Sequence, residues 1–354
     1  SGVILLIACD RGKKGTHFIL RIESISCCIF FDFECVMALS GVIGRRMSSR
    51  QDSTALTSLV KSIIPSLSFE KHKGQAGRIG VVGGSKDYTG APYYAAISAL
   101  RVGCDLSHVF CASEAAVVIK SYSPELIVHP VLDQDNYMEE MSQWLPRLHA
   151  LVIGPGLGRS AGTADVVKNI ILKAKEKKIP IVIDADGLHF ITQNPSMIKG
   201  YSRAVLTPNI MEFSRLYEAV LGEKMKEGDE VQRVAEVSRF LGNVTITCKG
   251  ERDIITDGNN VVMCTEQGSP RRCGGQGDLL SGSLGVFTFW AHHAFSGGHE
   301  HEGLRDLGPT VTAAYAACVL TRKCNRLAFS NNKRSMLTTD MVSHIQDAFE
   351  YLYD

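Results

Sequence analysis

The run Arg271-Arg272-Cys273-Gly274-Gly275-Gln276-Gly277-Asp278, leading into Leu279-Leu280-Ser281-Gly282, is the part of this chain best suited to chemistry. Glycines let backbone N–H groups come close to a ligand. A helix start adds unpaired N–H groups and the positive end of the helix dipole. Together they make a hole for an anion, expected here at the head of a long apolar helix from Gly277 through Trp290. Asp278 stands beside that hole, where a carboxylate can accept a proton from a hydroxyl attacking phosphorus. A carboxylate that only caps a helix would not call for three glycines and two arginines just before it. The expected chemistry is phosphoryl transfer, with Asp278 as the base.

Four other segments follow short apolar runs. They are Gly83-Gly84-Ser85, Gly154-Pro155-Gly156-Leu157-Gly158, Asp184-Ala185-Asp186-Gly187 and Thr207-Pro208-Asn209. Each alone is an ordinary turn. In a parallel sheet, however, ligands gather outside the carboxyl ends of the strands, so the four together mark one site. Two nucleotide motifs are set aside. Gly80 to Lys86 has Ser85 where a phosphate loop needs Gly, and no Ser or Thr follows Lys86. Gly154-x-Gly156-x-Gly158 misses the dinucleotide spacing. These departures argue against a Walker-type NTPase and a Rossmann dehydrogenase.

The scaffold that positions these segments follows from the apolar pattern. Arg78 to Gly84, Glu125 to Val131, Leu148 to Ile153, Ile179 to Ile183 and Ala204 to Leu206 read as strands buried on both faces. Helical stretches lie between them, for example Tyr93 to Val102, opened by Pro92, and Thr163 to Lys177. The alternation predicts an α/β fold with a mostly parallel sheet and helices on both faces. After residue 243 come Val244 to Cys248, Asp253 to Thr256 and Val261 to Cys264, parted by short turns such as Asp257-Gly258. They predict a small antiparallel meander. Helices at 306–327 and 338–353 are expected to close the chain. With no internal repeat or linker, residues 56–354 are expected to form a single domain behind a leader, residues 1–55.

The composition, 45% apolar and 21% charged over 354 residues, supports a sizeable core. A net charge of +1 gives no global attraction to nucleic acid or to a membrane surface. No run approaches the roughly 20 apolar residues of a membrane-spanning helix. The 11 cysteines include adjacent Cys27-Cys28 but no C-x-x-C spacing. Reduced thiols in an intracellular protein are expected, not a disulfide framework or zinc site. His292, His293, His299 and His301 flank Ser296-Gly297-Gly298. A flexible Gly-Gly stretch would not hold metal ligands in a fixed geometry, so a solvated loop is expected there. Residues 37–67 hold Arg45, Arg46, Arg50 and Lys61, several Ser and Thr, and Asp52 as their one acid. That composition suits a mitochondrial transit peptide, with a basic leader on a cytoplasmic protein as the alternative. Residues 1–36 carry no interpretable pattern.

Longer segments narrow the reading. They are GRIGVVGGSKDYTGAPYYAAISALRVG (77–103), VIGPGLGR (152–159), PIVIDADGLHF (180–190), LTPNIMEFSRL (206–216), CKGERDIITDG (248–258) and GSPRRCGGQGDLLSGSLG (268–285). Their order, with the Gly-x-Gly-Asp element at the helix start, resembles the ATP-dependent NAD(P)H-hydrate dehydratases of the ribokinase-like superfamily. The resemblance spans roughly residues 56–353 and implies a ribokinase-like three-layer sandwich. It implies that Gly156 and the stretch Asn209, Ile210, Met211, Glu212, Phe213, Ser214 and Arg215 contact the hydrated nicotinamide cofactor, with Asp278 at its hydroxyl. It implies that Lys249, Gly250, Glu251, Arg252 and Asp253 hold ATP with Gly268, Ser269, Pro270, Arg271, Arg272, Cys273, Gly274, Gly275, Gln276 and Gly277. Mg²⁺ would bridge the phosphate charge. An NAD(P)H-hydrate epimerase would work alongside, and a homo-oligomer is compatible with the family. One departure stands out: many bacterial members read Thr-Pro-His where this chain has Thr207-Pro208-Asn209. Asn can hydrogen-bond but cannot carry a proton, which counts against an acid–base role there.

The implied chemistry is consistent with these residues. Hydration adds water across a ring double bond, and hydroxide leaves poorly. Phosphorylation of the ring hydroxyl makes a good leaving group. The ring nitrogen lone pair then expels phosphate, and proton loss restores the double bond. Such an enzyme supplies mainly position and charge stabilisation. Lys249 and Arg252 read equally well as ATP contacts or as exposed cations. A kinase for a vitamin-type alcohol, releasing its phosphorylated product, is the alternative on the same fold. A non-catalytic nucleotide-binding scaffold is disfavoured because Asp278 is present.

Overall fold

The computed structural model describes residues 5–12, 15–22, 29–30, 53–225, 227–297 and 302–354. The chain divides into two units, residues 1–50 and 51–354. In the first, β1 (Leu5–Gly12) and β2 (Gly15–Ile22) pair antiparallel from Leu5↔Ile22 to Gly12↔Gly15. The short β3 (Ile29–Phe30) pairs with β2. These strands correct the view of residues 1–36 as patternless: Ile7, Thr16, Phe18, Ile19 and Ile22 are residue types that favour strands.

The larger unit begins with α1 (Ser53–Ile63), ahead of the boundary expected after residue 55. Leu56, Leu59, Val60 and Ile63 are buried at the i, i+3, i+4, i+7 spacing of an amphipathic helix. The stretch that reads as a transit peptide therefore runs into a helix packed on the closing helices of the unit. Residues 37–52 of that stretch lie outside the described residues.

The strands of this unit are β4 (Arg78–Val82), β5 (Leu106–Cys111), β6 (Ile127–Pro130), β7 (Ala150–Ile153), β8 (Ile181–Ile183), β9 (Ala204–Leu206), β10 (Thr245–Cys248), β11 (Asp253–Thr256) and β12 (Val261–Cys264). They form one sheet in the order β12-β11-β10-β9-β8-β7-β4-β5-β6. It is parallel from β10 to β6, and β11 and β12 add antiparallel at the edge. The expected meander thus exists, but its first strand belongs equally to the parallel sheet. β5 has no counterpart among the expected strands. Ser107 and His108 interrupt its apolar run, yet both are buried, and His108 Nδ1 lies 3.0 Å from His129 Nε2 on β6.

The helices that follow α1 are α2 (Gly90–Val102), α3 (Ser113–Tyr122), α4 (Tyr137–Trp144), α5 (Thr163–Glu176), α6 (Asp186–Gln193), α7 (Ile210–Leu221), α8 (Glu230–Phe240), α9 (Gln276–Ser296), α10 (Glu302–Leu307), α11 (Pro309–Asn332), α12 (Thr338–Ser343) and α13 (Ile345–Tyr353). Strand side chains alternate between the two faces. Val82, Leu151, Ile153, Ile181, Ile183 and Leu206 join the core made with α5 to α8. Ile79 and Val152 face α9 on the other side. The glycines after Asp278 serve that layer. A Cβ at Gly282 would lie 2.0 Å from the Ala95 carbonyl oxygen, so α9 and α2 meet backbone to backbone.

Two expectations near the C-terminus are corrected. The closing helix is split at His344. His292 and His293 lie within α9 and not in a loop; His292 is buried, and burial pushes its imidazole down to about 3. His299 and His301 lie outside the described residues. Cys104, Cys111, Cys248, Cys264, Cys273, Cys318 and Cys324 are free thiols. Among the described residues, no helix is long and apolar enough to cross a membrane.

Candidate active site

The chain enters the sheet at β4, builds β5 and β6 to one side, then returns to place β7 to β12 on the other. The carboxyl ends of β4 and β7 therefore flank a topological switch point, where open α/β sheets bind ligands. The glycines there are required by close approach. A Cβ at Gly83 would sit 2.0 Å from the Pro155 carbonyl oxygen. At Gly154, with φ +126°, it would sit 1.8 Å from the Asp184 carbonyl oxygen. The Gly156 carbonyl accepts bonds from Gly84 N at 3.1 Å and Ser85 Oγ at 3.0 Å.

Asp184 links these segments to the rest of the site. It is buried at 1% exposure, and its Oδ1 accepts from Thr207 Oγ1 at 2.8 Å and Lys249 Nζ at 2.9 Å. Lys249 reaches it because pairing continues beyond β9 and β10, with Lys249 N donating to the Pro208 carbonyl at 2.8 Å. The four segments expected at strand ends thus form one connected cluster. Ala185 between Asp184 and Asp186 has φ +48° and ψ −121°, a costly conformation for a residue with a Cβ. It separates two carboxylates with different partners: Asp184 meets Lys249, while Asp186 accepts from Gly158 N at 2.9 Å and Arg159 Nε at 2.8 Å.

The glycine run meets this cluster at its last glycine. A Cβ on Gly277 would lie 3.5 Å from Lys249 Nζ and 3.7 Å from Asp184 Oδ2. Gly275 precedes the first residue of α9 with φ +92°, and no side chain caps the helix. Asp278 is therefore not a cap. Burial is the main cause that pushes its carboxyl up to about 8; the Asp184 charge adds to this and the Lys249 charge opposes it. Burial works against the Lys249 ammonium, but the charges of Asp184, Glu212 and Asp278 outweigh it and raise its proton affinity.

The loop before α9 is held by distant residues. Ser269 N donates to Asn325 Oδ1 at 2.6 Å, Arg271 Nε to the Met336 carbonyl at 3.3 Å, and Thr338 Oγ1 to the Gly274 carbonyl at 2.6 Å. The guanidinium of Arg272 donates to the Ser269 carbonyl at 2.6 Å, and Gln276 Nε2 to the Arg271 carbonyl at 3.2 Å. Both arginines thus shape the loop. Gly274 and Pro270 are exposed, while Gly268 lies against Asn325. Asn325 and Thr338, buried on α11 and α12, carry no local sequence signal that they support this loop.

A cavity of about 440 Å³ opens beside Lys249 and Gly250, walled by Ile210, Phe213, Met225, Val231, Val234 and Met263 among others. Glu251 and Arg252 are exposed at its edge. The carboxylate of Asp253 is not free for a ligand. It accepts from Arg322 Nε at 2.6 Å and from a terminal Arg322 nitrogen at 2.7 Å, and it also caps Gly250 N at 3.2 Å. Its part is to fix the turn that carries Lys249.

The stretch 209–215 presents its side chains in several directions. Consecutive helical residues point about 100° apart, so they cannot all face one ligand. Asn209 Oδ1 caps α7, accepting from Met211 N and Glu212 N, while Glu212 Oε2 accepts from Asn209 N. Ile210 and Phe213 face the cavity shared with Lys249 to Arg252. Glu212 and Arg215 face a separate hollow with Arg159. Met211 is 62% exposed, and Ser214 is half-buried.

A family model described as NAD(P)H-hydrate dehydratase matches residues 79–347, from β4 into α13. An ATP-dependent (S)-NAD(P)H-hydrate dehydratase of Bos taurus is 55% identical over 306 residues, covering 86% of this chain and 92% of the relative. The chain belongs to the NAD(P)H-hydrate dehydratase family. Two solved structures bear on the fold of this family member. A ribokinase-like superfamily protein from Enterococcus faecalis matches with a TM-score of 0.66 at 20% identity, over 84% of this chain and 94% of that one. The ADP/ATP-dependent NAD(P)H-hydrate dehydratase from Bacillus subtilis, co-crystallised with ATP/Mg²⁺, matches with 0.61 at 18% identity, over 84% and 97%. The fold is the ribokinase-like sandwich that the motifs imply.

Proposed function

We propose that this protein is an ATP-dependent dehydratase that returns hydrated NADH and NADPH to the reduced cofactors, a hydro-lyase. The observation that carries the chemistry is the meeting of the glycine helix start, the buried Asp184–Lys249 pair and Asp278 at the switch point. The γ-phosphoryl group of ATP lies against the N–H groups of Gly274 to Gly277. Asp278 takes the proton of the ring hydroxyl as its oxygen bonds to phosphorus and ADP leaves. The ring nitrogen lone pair then expels phosphate, breaking the carbon–oxygen bond. Loss of a proton from the neighbouring carbon restores the double bond. Lys249 contributes positive charge beside the transferring group, held in place by Asp184.

Mg²⁺ fits the donor set. Among the described residues, no group of three or more His, Cys, Asp or Glu side chains could hold a metal by itself. Mg²⁺ commonly takes one or two carboxylates and completes its shell with phosphate oxygens and water. Asp184, whose Oδ2 faces Gly277, would hold it together with phosphate oxygens of ATP. When bound, it would neutralise phosphate charge.

The hydrated carbon is a stereocentre, so a site that fixes its hydroxyl at Asp278 accepts one configuration. An epimerase that interconverts the two hydrates is the partner this chemistry calls for. The basic stretch 37–67 supports delivery to mitochondria. The fold alone would equally suit a vitamin-type alcohol kinase, and product analysis separates the two. The dehydratase is expected to form one ADP and one inorganic phosphate per reduced cofactor regained. ADP formed without inorganic phosphate would identify the kinase.

A further inference from the structure

We propose that the hollow between Arg159, His189 and Arg215 binds a phosphate of the hydrated nicotinamide dinucleotide, an inference that rests on the dehydratase reading. Two phosphate-bearing ligands need two anion sites. The glycine start of α9 serves ATP, and the dinucleotide phosphates require another address.

The strained Ala185, next to Asp184 in the chain, is part of the wall of the hollow. Arg159, Ala185, His189, Thr192 and Arg215 line it, together with Glu212. Through Arg159 it adjoins the Gly154 to Gly158 loop at the switch point. Asp186 bridges the two, with one oxygen on Gly158 N at 2.9 Å and the other on Arg159 Nε at 2.8 Å. That bond orients the Arg159 guanidinium and leaves both of its terminal nitrogens for a ligand. A planar fork with two free donors suits a phosphate.

Arg215 comes from α7 on the facing wall, one turn after Glu212. The Glu212 carboxylate is engaged with Asn209 N at 2.8 Å, and no described carboxylate lies in ion-pair distance of Arg215. Burial, and after it the positive charge of Arg159, lowers the proton affinity of the His189 ring; Asp186 opposes this and Arg215 adds to it. Arg215 therefore enters the hollow without a partner of its own, beside a cation already fixed by Asp186. A phosphate satisfies both. Its source is either the pyrophosphate, common to both hydrates, or the 2′-phosphate, found only on the NADPH hydrate.

The test is titration of the full-length protein with NADH and with NADPH, followed by nicotinamide fluorescence, for the wild type, Arg159→Gln and Arg215→Gln. These reduced products carry the same phosphates and need no turnover. Each variant is expected to weaken binding about tenfold, the scale of a charged hydrogen bond. The affinity for ATP should stay within about twofold, which shows that the fold is kept. Equal losses for NADH and NADPH assign the pyrophosphate, and a loss confined to NADPH assigns the 2′-phosphate. Unchanged affinity for both cofactors overturns the proposal. Failure of the wild type to dehydrate the hydrates would instead overturn the functional reading.

Discussion

Asp278→Asn should fold, bind ATP and lose turnover by a factor on the order of 10² to 10⁴, the contribution of a positioned general base. The substitution keeps size and shape at the third residue of α9. It removes only the ability to take a proton. Stability should move in the opposite direction from activity. The Asp278 carboxyl is pushed up to about 8 in the fold, by burial first and then by Asp184. In the unfolded chain it ionises near 4. Between those pH values the folded state binds the extra proton, so stability falls as pH rises through that window. In buffer with a chelator and no nucleotide, the wild type should show this loss and Asp278→Asn should lack it. Unfolding by denaturant at pH 5 and pH 8 gives the comparison. Retained turnover in the variant would remove the base assignment, and a variant less stable than the wild type at pH 8 would show that the fold does not raise this carboxyl.

Lys249→Met should cost more stability than a typical surface substitution, about 3 kcal/mol, the lower end for removing one partner of a buried pair. The reason is Asp184, whose side chain is 2% exposed and whose charge would be left with only the Thr207 hydroxyl. Breaking a buried ion pair by removing one partner leaves an uncompensated charge, and this usually outweighs the net worth of the pair itself. The double variant Lys249→Met with Asp184→Asn should recover most of the loss, because the stranded charge is gone. Turnover should not recover with it, since the positive charge beside the phosphoryl group remains absent. Denaturant unfolding of the wild type, both single variants and the double variant checks this as a thermodynamic cycle. A double variant no more stable than Lys249→Met would show that the pair is not what holds this corner together.

The difference between what the sequence showed and what it hid follows contact range. Gly274 to Asp278 were legible because a helix start, its N–H groups and its carboxylate are neighbours in the chain. The segments ending at Ser85, Gly158, Gly187 and Asn209 were legible as a set because parallel strands all present their carboxyl ends to one crevice. Their wiring was not. Asp184 finds Lys249 across 65 residues, and Asp253 finds Arg322 across 69. No spacing rule anticipates either pair, nor that the Asp253 carboxylate pins the turn beside Lys249. Nor does the linear order of residues 209–215 show that α7 turns Phe213 into one cavity and Arg215 into another. β5 was hidden by Ser107 and His108, polar residues that the sheet buries. The relation of Asp278 to its neighbours was half visible: the acid stood out, but the second carboxylate that raises it did not.

The most direct test is to mix the protein with hydrated NADH, ATP and Mg²⁺ and follow the near-ultraviolet absorbance of reduced nicotinamide. The absorbance is expected to return with ATP present, not to return without it, and to fail to return with Asp278→Asn. ATP consumption that leaves the absorbance flat while a phosphorylated dinucleotide accumulates would contradict the dehydratase reading.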